Sequence, residues 1–187
     1  MLAAISQILT AFGLSTASGL NAYIPLLIVA LTARFTPLLK LNPPFDILAN
    51  EWVIAALIVL LIIEMIVDKI PAADTLNDLI QTFVRPTAGA ILFAASANVI
   101  SDLHPIIAAI LGLLLAFGVH ATKTAARPVV TATTGGIGNP IVSLLEDVVS
   151  TILSILAIVF PIVMAIFLGL LIALVARWIL RRRPASA

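Results

Sequence analysis

Carboxylates inside long apolar stretches are the residues of this sequence that are best placed to do chemistry. Glu64 and Asp68 stand four positions apart, and this spacing puts them on one face of a helix. A second acidic pair, Glu146 and Asp147, lies in a later apolar stretch. Because a charge at the centre of a membrane helix costs about 2.5–3.5 kcal/mol or more, we expect these carboxylates to face a polar interior. There they could bind an ion, and Glu64 or Glu146 could load and release a proton. Asp68, which precedes Lys69, could instead mark the membrane interface.

Basic residues with helical spacing are the natural partners of these carboxylates. His120, Lys123 and Arg127 stand at positions i, i+3 and i+7, so they share a helix face, and Arg85 opens another apolar stretch. These residues could neutralise the carboxylates, which lowers the cost of burying both, or they could attract an anionic substrate. Two further interpretations stay open. The basic residues could extend to lipid headgroups from the end of a span, and Glu146 could form a purely structural ion pair with Arg85 or Arg127.

Two segments rich in glycine and small polar residues interrupt the apolar pattern, at 13–21 and at 131–140. Glycine and clustered hydroxyl residues disfavour an unbroken helix, so we expect each segment to break one. A broken helix inside a membrane leaves free N–H groups, which favour an anion, and free carbonyl groups, which favour a cation such as Na⁺. Tyr23 could line such a site or anchor the chain at the interface. The polar residues in and beside the two breaks are candidate ligands: Ser15, Thr16, Ser18, Asn21, Tyr23, Thr133, Thr134 and Asn139.

The two breaks hold corresponding positions, since each follows a short predicted helix and precedes an apolar one. Interrupted segments at matching positions are typical of internal repeats in transporters. The pattern therefore predicts an inverted repeat with halves 1–100 and 101–183. Two ordinary glycine-rich loops would give the same pattern, so both interpretations stay open.

The composition indicates which elements must hold these residues. Of the 187 residues, 62% are hydrophobic and 10% are charged, whereas soluble domains have about 45–50% apolar and about 25% charged residues. The mean hydropathy is +1.23, so lipid must be the solvent for much of the surface. We expect an all-α, polytopic transmembrane helix bundle of about six or seven helical segments, two of them broken or re-entrant. It forms one domain, 1–187, with a C-terminal tail at 184–187.

Apolar stretches and their boundaries predict the individual helices. The segment 72–82 is amphipathic and is expected to lie at the interface or to fold back into the bundle. The stretch 140–180 is too long for one span at about 1.5 Å per residue, so it should divide near Phe160-Pro161. Proline in the first helical turn predicts a new start at Arg85-Pro86. The predicted helical segments are 2–33 with its break, 51–70, 72–82, 85–100, 105–123 and 140–180 with its division.

Basic residues near the end of the last apolar stretch predict the orientation. Arg177 and the run 181–183 place the C-terminus in the cytoplasm, because the cytoplasmic ends of membrane spans carry an excess of Lys and Arg. We therefore predict a multi-pass protein of the cell membrane. The first residues lack a basic leading region, so we expect no removable signal peptide.

Several classes of chemistry are disfavoured by what the sequence lacks. The absence of cysteine excludes disulfides and thiolate sites, and a net charge of +1 argues against nucleic acid as a partner. Two histidines argue against a multi-histidine metal site. No nucleotide-binding loop, zinc-protease pattern or nucleophile elbow occurs. We predict no catalytic residue and no cofactor.

Five stretches of the chain resemble a known family. They are 13–23, 68–71 with Asp74, 85–89, 120–123 and 143–147. Together and in this order they resemble the bacterial membrane family known as domain of unknown function 4126, over most of the chain. The resemblance implies a multi-pass membrane protein and no established activity. The second break is not among these stretches, so the predicted repeat rests on this sequence alone.

Transport is the function that these patterns favour. We expect a small transporter or channel-like protein in which two broken helices and buried carboxylates form a polar site, coupled to an ion or a proton. Its partners would be the lipid bilayer and a small ion or anionic substrate, and a homodimer could complete the pathway. One alternative is a structural, assembly or lipid-interacting protein whose polar residues form internal ion pairs. Another is a membrane enzyme acting on lipid headgroups, with His120, Asp74 or Asp78 at the interface.

Overall fold

The chain is all-helical in the computed structural model, which describes residues 2–68, 71–97 and 103–182. Within these ranges there are helices and no strand, so the all-α prediction is confirmed for them. Lys69, the side chain of Asp74, the junction of the predicted repeat halves and the 184–187 tail lie outside the described residues. The helices are α1 (Leu2–Ser18), α2 (Tyr23–Phe35), α3 (Glu51–Val67), α4 (Pro71–Ala97), α5 (Pro105–Thr134), α6 (Asn139–Val159) and α7 (Pro161–Arg182), with a short 3₁₀ helix at Phe45–Ala49.

Two predicted boundaries are confirmed. The first break separates α1 from α2, because Ser18 ends one helix and Tyr23 begins the next, but the part of it at 13–18 is helical and belongs to α1. The turn between them is buried, and a methyl group on Gly19 would come within 2.5 Å of Val119 Cβ on α5, so only glycine fits this close approach. The long apolar stretch divides where it was expected to divide, since Phe160 separates α6 from α7.

Contacts between α1 and α6 fix the direction of the bundle. The Thr10 hydroxyl donates to the carbonyl of Ala157, and the Ser150 hydroxyl donates to that of Ala17. A residue early in α1 thus contacts one late in α6, and a residue late in α1 contacts one near the middle of α6. The two helices are therefore antiparallel. The end of α1 and the start of α6 therefore lie together. The start of α2, the end of α3 and the start of α4 lie at the same end of the bundle. We call this end of the bundle the polar end.

The contact between α4 and α5 is the closest helix packing in the bundle. A methyl group on Gly89 would lie 2.6 Å from the carbonyl oxygen of Gly112 and 2.5 Å from Ala116 Cβ. Small residues allow backbones to approach in this way, as in membrane helix pairs. The ridge of Ala108, Gly112 and Ala116 on α5 is buried throughout and packs on α4.

The predicted helix start at Pro86 is wrong. α4 is one helix of 27 residues that includes Pro86 in its interior, so the segments predicted at 72–82 and 85–100 are joined. Proline removes one helical hydrogen bond, but Pro86 is buried and α4 packs along both α5 and α1. This packing holds the helix together across the proline.

The second predicted break is a turn between two helices. α5 continues through Pro128 to Thr134, instead of ending near position 123. Gly135 and Gly136 then adopt φ values of 63° and 87°, which are left-handed conformations that favour glycine at the end of a helix. The segment 131–134 is helical, and the connection is a glycine-rich loop of the kind that was the alternative interpretation. The inverted repeat stays a prediction.

Apolar side chains cover the outside of the bundle. Among the described helices, α5 and α6 are long and apolar enough to cross a membrane, and α2 is apolar but shorter. Only 22% and 28% of their apolar stretches are buried inside the protein, so large side chains such as Leu114, Phe117 and Ile152 point outward. The fold thus carries two candidate membrane spans by length and composition.

Candidate functional site

Polar side chains from four helices and the α1–α2 turn converge near the polar end of the bundle. On each helix they repeat at intervals of three or four residues, which places them on one inward face. We call this group the polar cluster. It consists of Asn21, Glu64, Asp68, Asn77, Asp78, Gln81, Thr82, Arg85, His120, Lys123, Arg127, Ser143, Glu146 and Asp147.

The ion pair between Glu64 and Arg85 is a deeply buried part of the polar cluster. Glu64 Oε1 lies 3.1 Å from Arg85 Nη2, and both side chains are 1% exposed. Removing one partner of such a pair strands a buried charge, so the pair holds α3 against α4. Glu64 Oε2 and Arg85 Nε have no hydrogen-bond partner among the described residues. The pair therefore retains unused capacity to bind a proton or a polar group.

His120 extends this ion pair to α5. Its Nδ1 lies 3.1 Å from Arg85 Nη1, and its Nε2 lies 3.0 Å from Thr82 Oγ1. A guanidinium group only donates, so Nδ1 must accept and the imidazole proton must be on Nε2. The Thr82 hydroxyl accepts that proton's hydrogen bond and donates to the carbonyl of Asp78 at 2.8 Å. His120 is therefore a neutral imidazole whose two ring nitrogens are both engaged.

Lys123 occupies the carbonyl side of the α1 break. Its Nζ lies 2.7 Å from Glu146 Oε2 and donates to the carbonyl oxygen of Leu20 at 3.3 Å. Leu20 lies in the turn two residues beyond the end of α1, where its carbonyl group has no partner within a helix. The ammonium group thus takes the cation position that the sequence predicted at this break.

Asn21 occupies the N–H side of the same break. Its Oδ1 accepts from the backbone N–H groups of Tyr23 at 2.9 Å and Ile24 at 3.0 Å, as a helix N-cap does. Its Nδ2 donates to Asp147 Oδ1 at 2.9 Å. The donors that were predicted to bind an anion are therefore capped within the chain.

Asp68 links the ends of three helices. One carboxylate oxygen accepts from Asn77 Nδ2 at 2.7 Å, and the other accepts from Ser143 Oγ at 2.5 Å. A small cavity of about 20 Å³ lies beside it, with Asp147 on its wall. That volume is enough for about one water molecule.

The carboxylates of the polar cluster differ in exposure. Arg127 lies 3.5 Å from Asp78 and 3.7 Å from Glu146. The side-chain exposure is 18% for Asp78 and 14% for Glu146, against 1% for Glu64. Exposure thus falls from Asp78 through Glu146 to Glu64, whereas Asp68 is 5% exposed although it lies at the end of α3.

Carboxylates outnumber cations in the polar cluster. The carboxylates are Glu64, Asp68, Asp78, Glu146 and Asp147. The cations are Arg85, Lys123 and Arg127, since His120 is neutral. Each of these cations already faces a carboxylate, so the arrangement favours a proton or a cation over an anion. The described residues contain no group of three or more His, Asp or Glu arranged to hold a metal ion.

The predicted hydroxyl ligands on α1 lie outside the polar cluster. The Ser15 hydroxyl donates to the carbonyl of Gly89 at 2.9 Å, and the Ser18 hydroxyl donates to that of Ser15 at 2.8 Å. Thr16 donates to the carbonyl of Phe12 in its own helix. The Ser15 bond joins α1 to α4, the other two lie within α1, and none of the three hydroxyls has a proton left for a ligand.

Thr133, Thr134 and Asn139 lie at the α5–α6 turn. Both threonine hydroxyls donate to carbonyl groups of their own helix, and the Asn139 amide pairs with the Thr131 hydroxyl at 3.0 Å. Their hydrogen bonds among the described residues are all local to the turn. The structure therefore does not bring them to the polar cluster.

Residues on α4 are the part of the polar cluster that sequence reasoning missed. Asn77, Gln81 and Thr82 join Arg85 on one helix face, and Gln81 lies beside the phenol of Tyr23. Their helical spacing with Arg85 was the available signal. It was missed because a helix start was assigned at Pro86.

Comparison with known sequences shows the family of the chain. A family model described as "Domain of unknown function (DUF4126)" matches residues 8–181, which is nearly the whole chain. The chain belongs to this family, and the resemblance read from its five stretches is confirmed. No curated protein and no solved structure matches it.

Proposed function

We propose that this member of the DUF4126 family is a multi-pass membrane protein that moves protons or a small cation through the polar cluster. The observation that carries the proposal is the distribution of side chains, with charges inside and large apolar residues outside. Soluble proteins rarely bury this many charged residues. A lipid environment accounts for both features, because intramembrane charges face the bundle interior and mark ion or proton pathways.

Helix lengths support several crossings. α1 and α3 have 17 residues each, α4 has 27 and α7 has 22. At about 1.5 Å per residue, 17 residues span about 26 Å, close to the roughly 30 Å hydrocarbon core. These helices belong to the same bundle as α5 and α6, so they would lie at the same depth. α7 returns to the polar end with Arg177 exposed, and the excess of basic residues on cytoplasmic sides would place that end in the cytoplasm.

The stepwise exposure of the carboxylates supports one-sided access. Asp78 and Glu146 would receive the ion from the cytoplasmic side, and Glu64 would be the innermost position. The unpartnered Glu64 Oε2 is the atom at which a proton could be held. Arg85 neutralises Glu64 while that position is empty, which lowers the cost of keeping a carboxylate at this depth.

Proton or cation flux into liposomes tests this function. We expect purified protein in liposomes to dissipate an imposed pH or Na⁺ gradient, and Glu64→Gln and Glu146→Gln each to reduce that flux at least tenfold. Glu51→Gln is the matched control, because Glu51 is an exposed carboxylate that pairs with Arg34 at the opposite end. Flux equal to that of empty liposomes, or full flux in both cluster variants, would refute the proposal.

A structural or assembly role is the second candidate, and one specific observation favours it. Lys123 and Asn21 satisfy both sides of the α1 break, so the backbone there has its partners within the chain. The polar residues would then serve as internal ion pairs, and replacing both partners of a pair by apolar residues would be tolerated.

A further inference from the structure

A polar recess lies at the end of the bundle opposite the polar cluster. Its volume is about 350 Å³, within the range of small-molecule pockets, about 300–1,000 Å³. Its polar walls come from three elements: Ser6, Gln7 and Thr10 of α1, Lys40 of the loop after α2, and Ser96 of α4. Leu38, Leu39 and Ile158 form much of the apolar wall. We call it the opposite recess.

Ser96 is the observation that points to a ligand. Ser96 is 4% exposed, and its hydroxyl has no hydrogen-bond partner among the described residues. Serine in a helix usually donates to a carbonyl one turn back, as Ser154 does here at 2.7 Å. A buried hydroxyl without a partner is destabilising. A polar group bound in the opposite recess would remove that destabilisation.

The charge of the residues that line the opposite recess indicates which kind of ligand it would bind. Among the described residues that line the opposite recess, Lys40 is the ionisable one and none is a carboxylate. Gln7, Ser6 and Ser96 add neutral donors, whereas the Thr10 hydroxyl is already engaged with the carbonyl of Ala157 at 2.8 Å. A cation, several neutral donors and an apolar wall together match a ligand with an oxyanion and a hydrocarbon part.

We propose that the opposite recess binds an amphiphilic oxyanion, either a free organic phosphate or the headgroup of an anionic lipid. Lys40 and the donors of Gln7 and Ser96 would bind the phosphate oxygens, because charge-assisted hydrogen bonds are the strongest of this type. Leu38 and Ile158 would contact the adjoining hydrocarbon. The inference does not rest on transport through the polar cluster.

Calorimetric titration with hexyl phosphate tests this site. The full chain is placed in phosphatidylcholine nanodiscs, and hexanol serves as the matched neutral probe. We expect saturable binding of hexyl phosphate and at least tenfold weaker binding of hexanol. Lys40→Gln should weaken hexyl phosphate binding at least tenfold, and Ser96→Ala should weaken it severalfold without lowering the thermal midpoint. Arg177→Gln, which removes an exposed cation at the polar end, should leave binding unchanged.

Nanodiscs that contain phosphatidylglycerol distinguish the two sources of the oxyanion. If the ligand is a lipid headgroup, phosphatidylglycerol should compete and weaken hexyl phosphate binding to the wild-type chain more than to Lys40→Gln. If the ligand is a free phosphate, the affinity should change equally in both. The absence of saturable binding, or binding that Lys40→Gln leaves intact, would overturn the proposal, whatever the flux through the polar cluster.

Discussion

Lys123 Nζ and the carbonyl oxygen of Leu20 lie 3.3 Å apart, at the point where α1 ends. The same ammonium group lies 2.7 Å from the carboxylate of Glu146. One cation thus satisfies an orphan carbonyl of a helix end and neutralises an acid on another helix. This contact connects α5 to both α1 and α6, so its removal should affect the whole polar end.

Replacing Lys123 alone should destabilise the fold. Lys123→Met leaves Glu146 with only the more distant Arg127, at 3.7 Å, so the loss should approach but not exceed the roughly 3–5 kcal/mol of a fully broken buried pair. The double variant Lys123→Met/Glu146→Leu removes both charges and should recover most of the loss. The midpoint of unfolding in detergent micelles measures both. If the double variant is as unstable as the single one, the stabilisation by Lys123 does not come from its ion pair with Glu146. Flux retained by the double variant would favour the structural role.

Asn21 should be sensitive to charge as well as to size. Asn21→Ala removes the cap of α2, a loss of about 1 kcal/mol, together with the bond to Asp147. Asn21→Asp keeps a capping oxygen but places a second carboxylate beside Asp147, which lies 2.9 Å from the present amide nitrogen. We therefore expect the aspartate variant to be the less stable one at neutral pH, and its deficit to shrink as the pH is lowered and one acid is protonated. Unfolding midpoints across a pH series measure this, and a pH-independent deficit would contradict it.

Two glycines of α5 should respond oppositely to alanine. A methyl group on Gly112 would meet Phe93 Cβ at 2.5 Å and the Gly89 backbone, so Gly112→Ala should force α4 and α5 apart and cost about 1–3 kcal/mol. Gly118 faces open space, and Gly118→Ala should be neutral or stabilise the helix by up to about 1 kcal/mol. Thermal unfolding of the two variants side by side provides the comparison. Equal effects would argue against the close α4–α5 contact.

Solvent access should fall along the carboxylates of the polar cluster. Single cysteines at positions 78, 146 and 64 should react with a water-soluble maleimide in that order of rate, because the native side chains are 18%, 14% and 1% exposed. The absence of native cysteine makes each label unambiguous. If none of the three positions reacts, no aqueous route reaches the polar cluster and the transport proposal fails.

Composition and residue type predicted the helices and most members of the polar cluster. Which of these side chains pair with each other depends on contacts between helices, which the sequence does not show. The expectation that carboxylates and cations face inward is met for Glu64 and Arg85. Their pairing joins two separate helices, α3 and α4, and spacing within one helix does not show it. One interpretation of the sequence paired Glu146 with Arg85 or Arg127; Arg127 does lie 3.7 Å from Glu146, but Lys123 is nearer, at 2.7 Å.

Two local signals were misleading for physical reasons. Pro86 resembles a helix start, but tertiary packing on α5 and α1 carries α4 across it. Thr133 and Thr134 resemble ligands in a broken helix, but each hydroxyl has a carbonyl of its own helix to bind. In both cases the interaction that overrides the local pattern can be identified only when the positions of the helices are known.

The backbone contact between Gly89 and Gly112 also limits how this molecule can move. With no side chain between them, α4 and α5 cannot slide or rotate against each other without a steric clash, so they behave as one rigid body. α6 meets α5 chiefly where Glu146 faces Lys123 and Arg127. If the proposed transport involves closed and open forms, the release of Glu146 from its two cations would free the direct contact between α6 and the α4–α5 body.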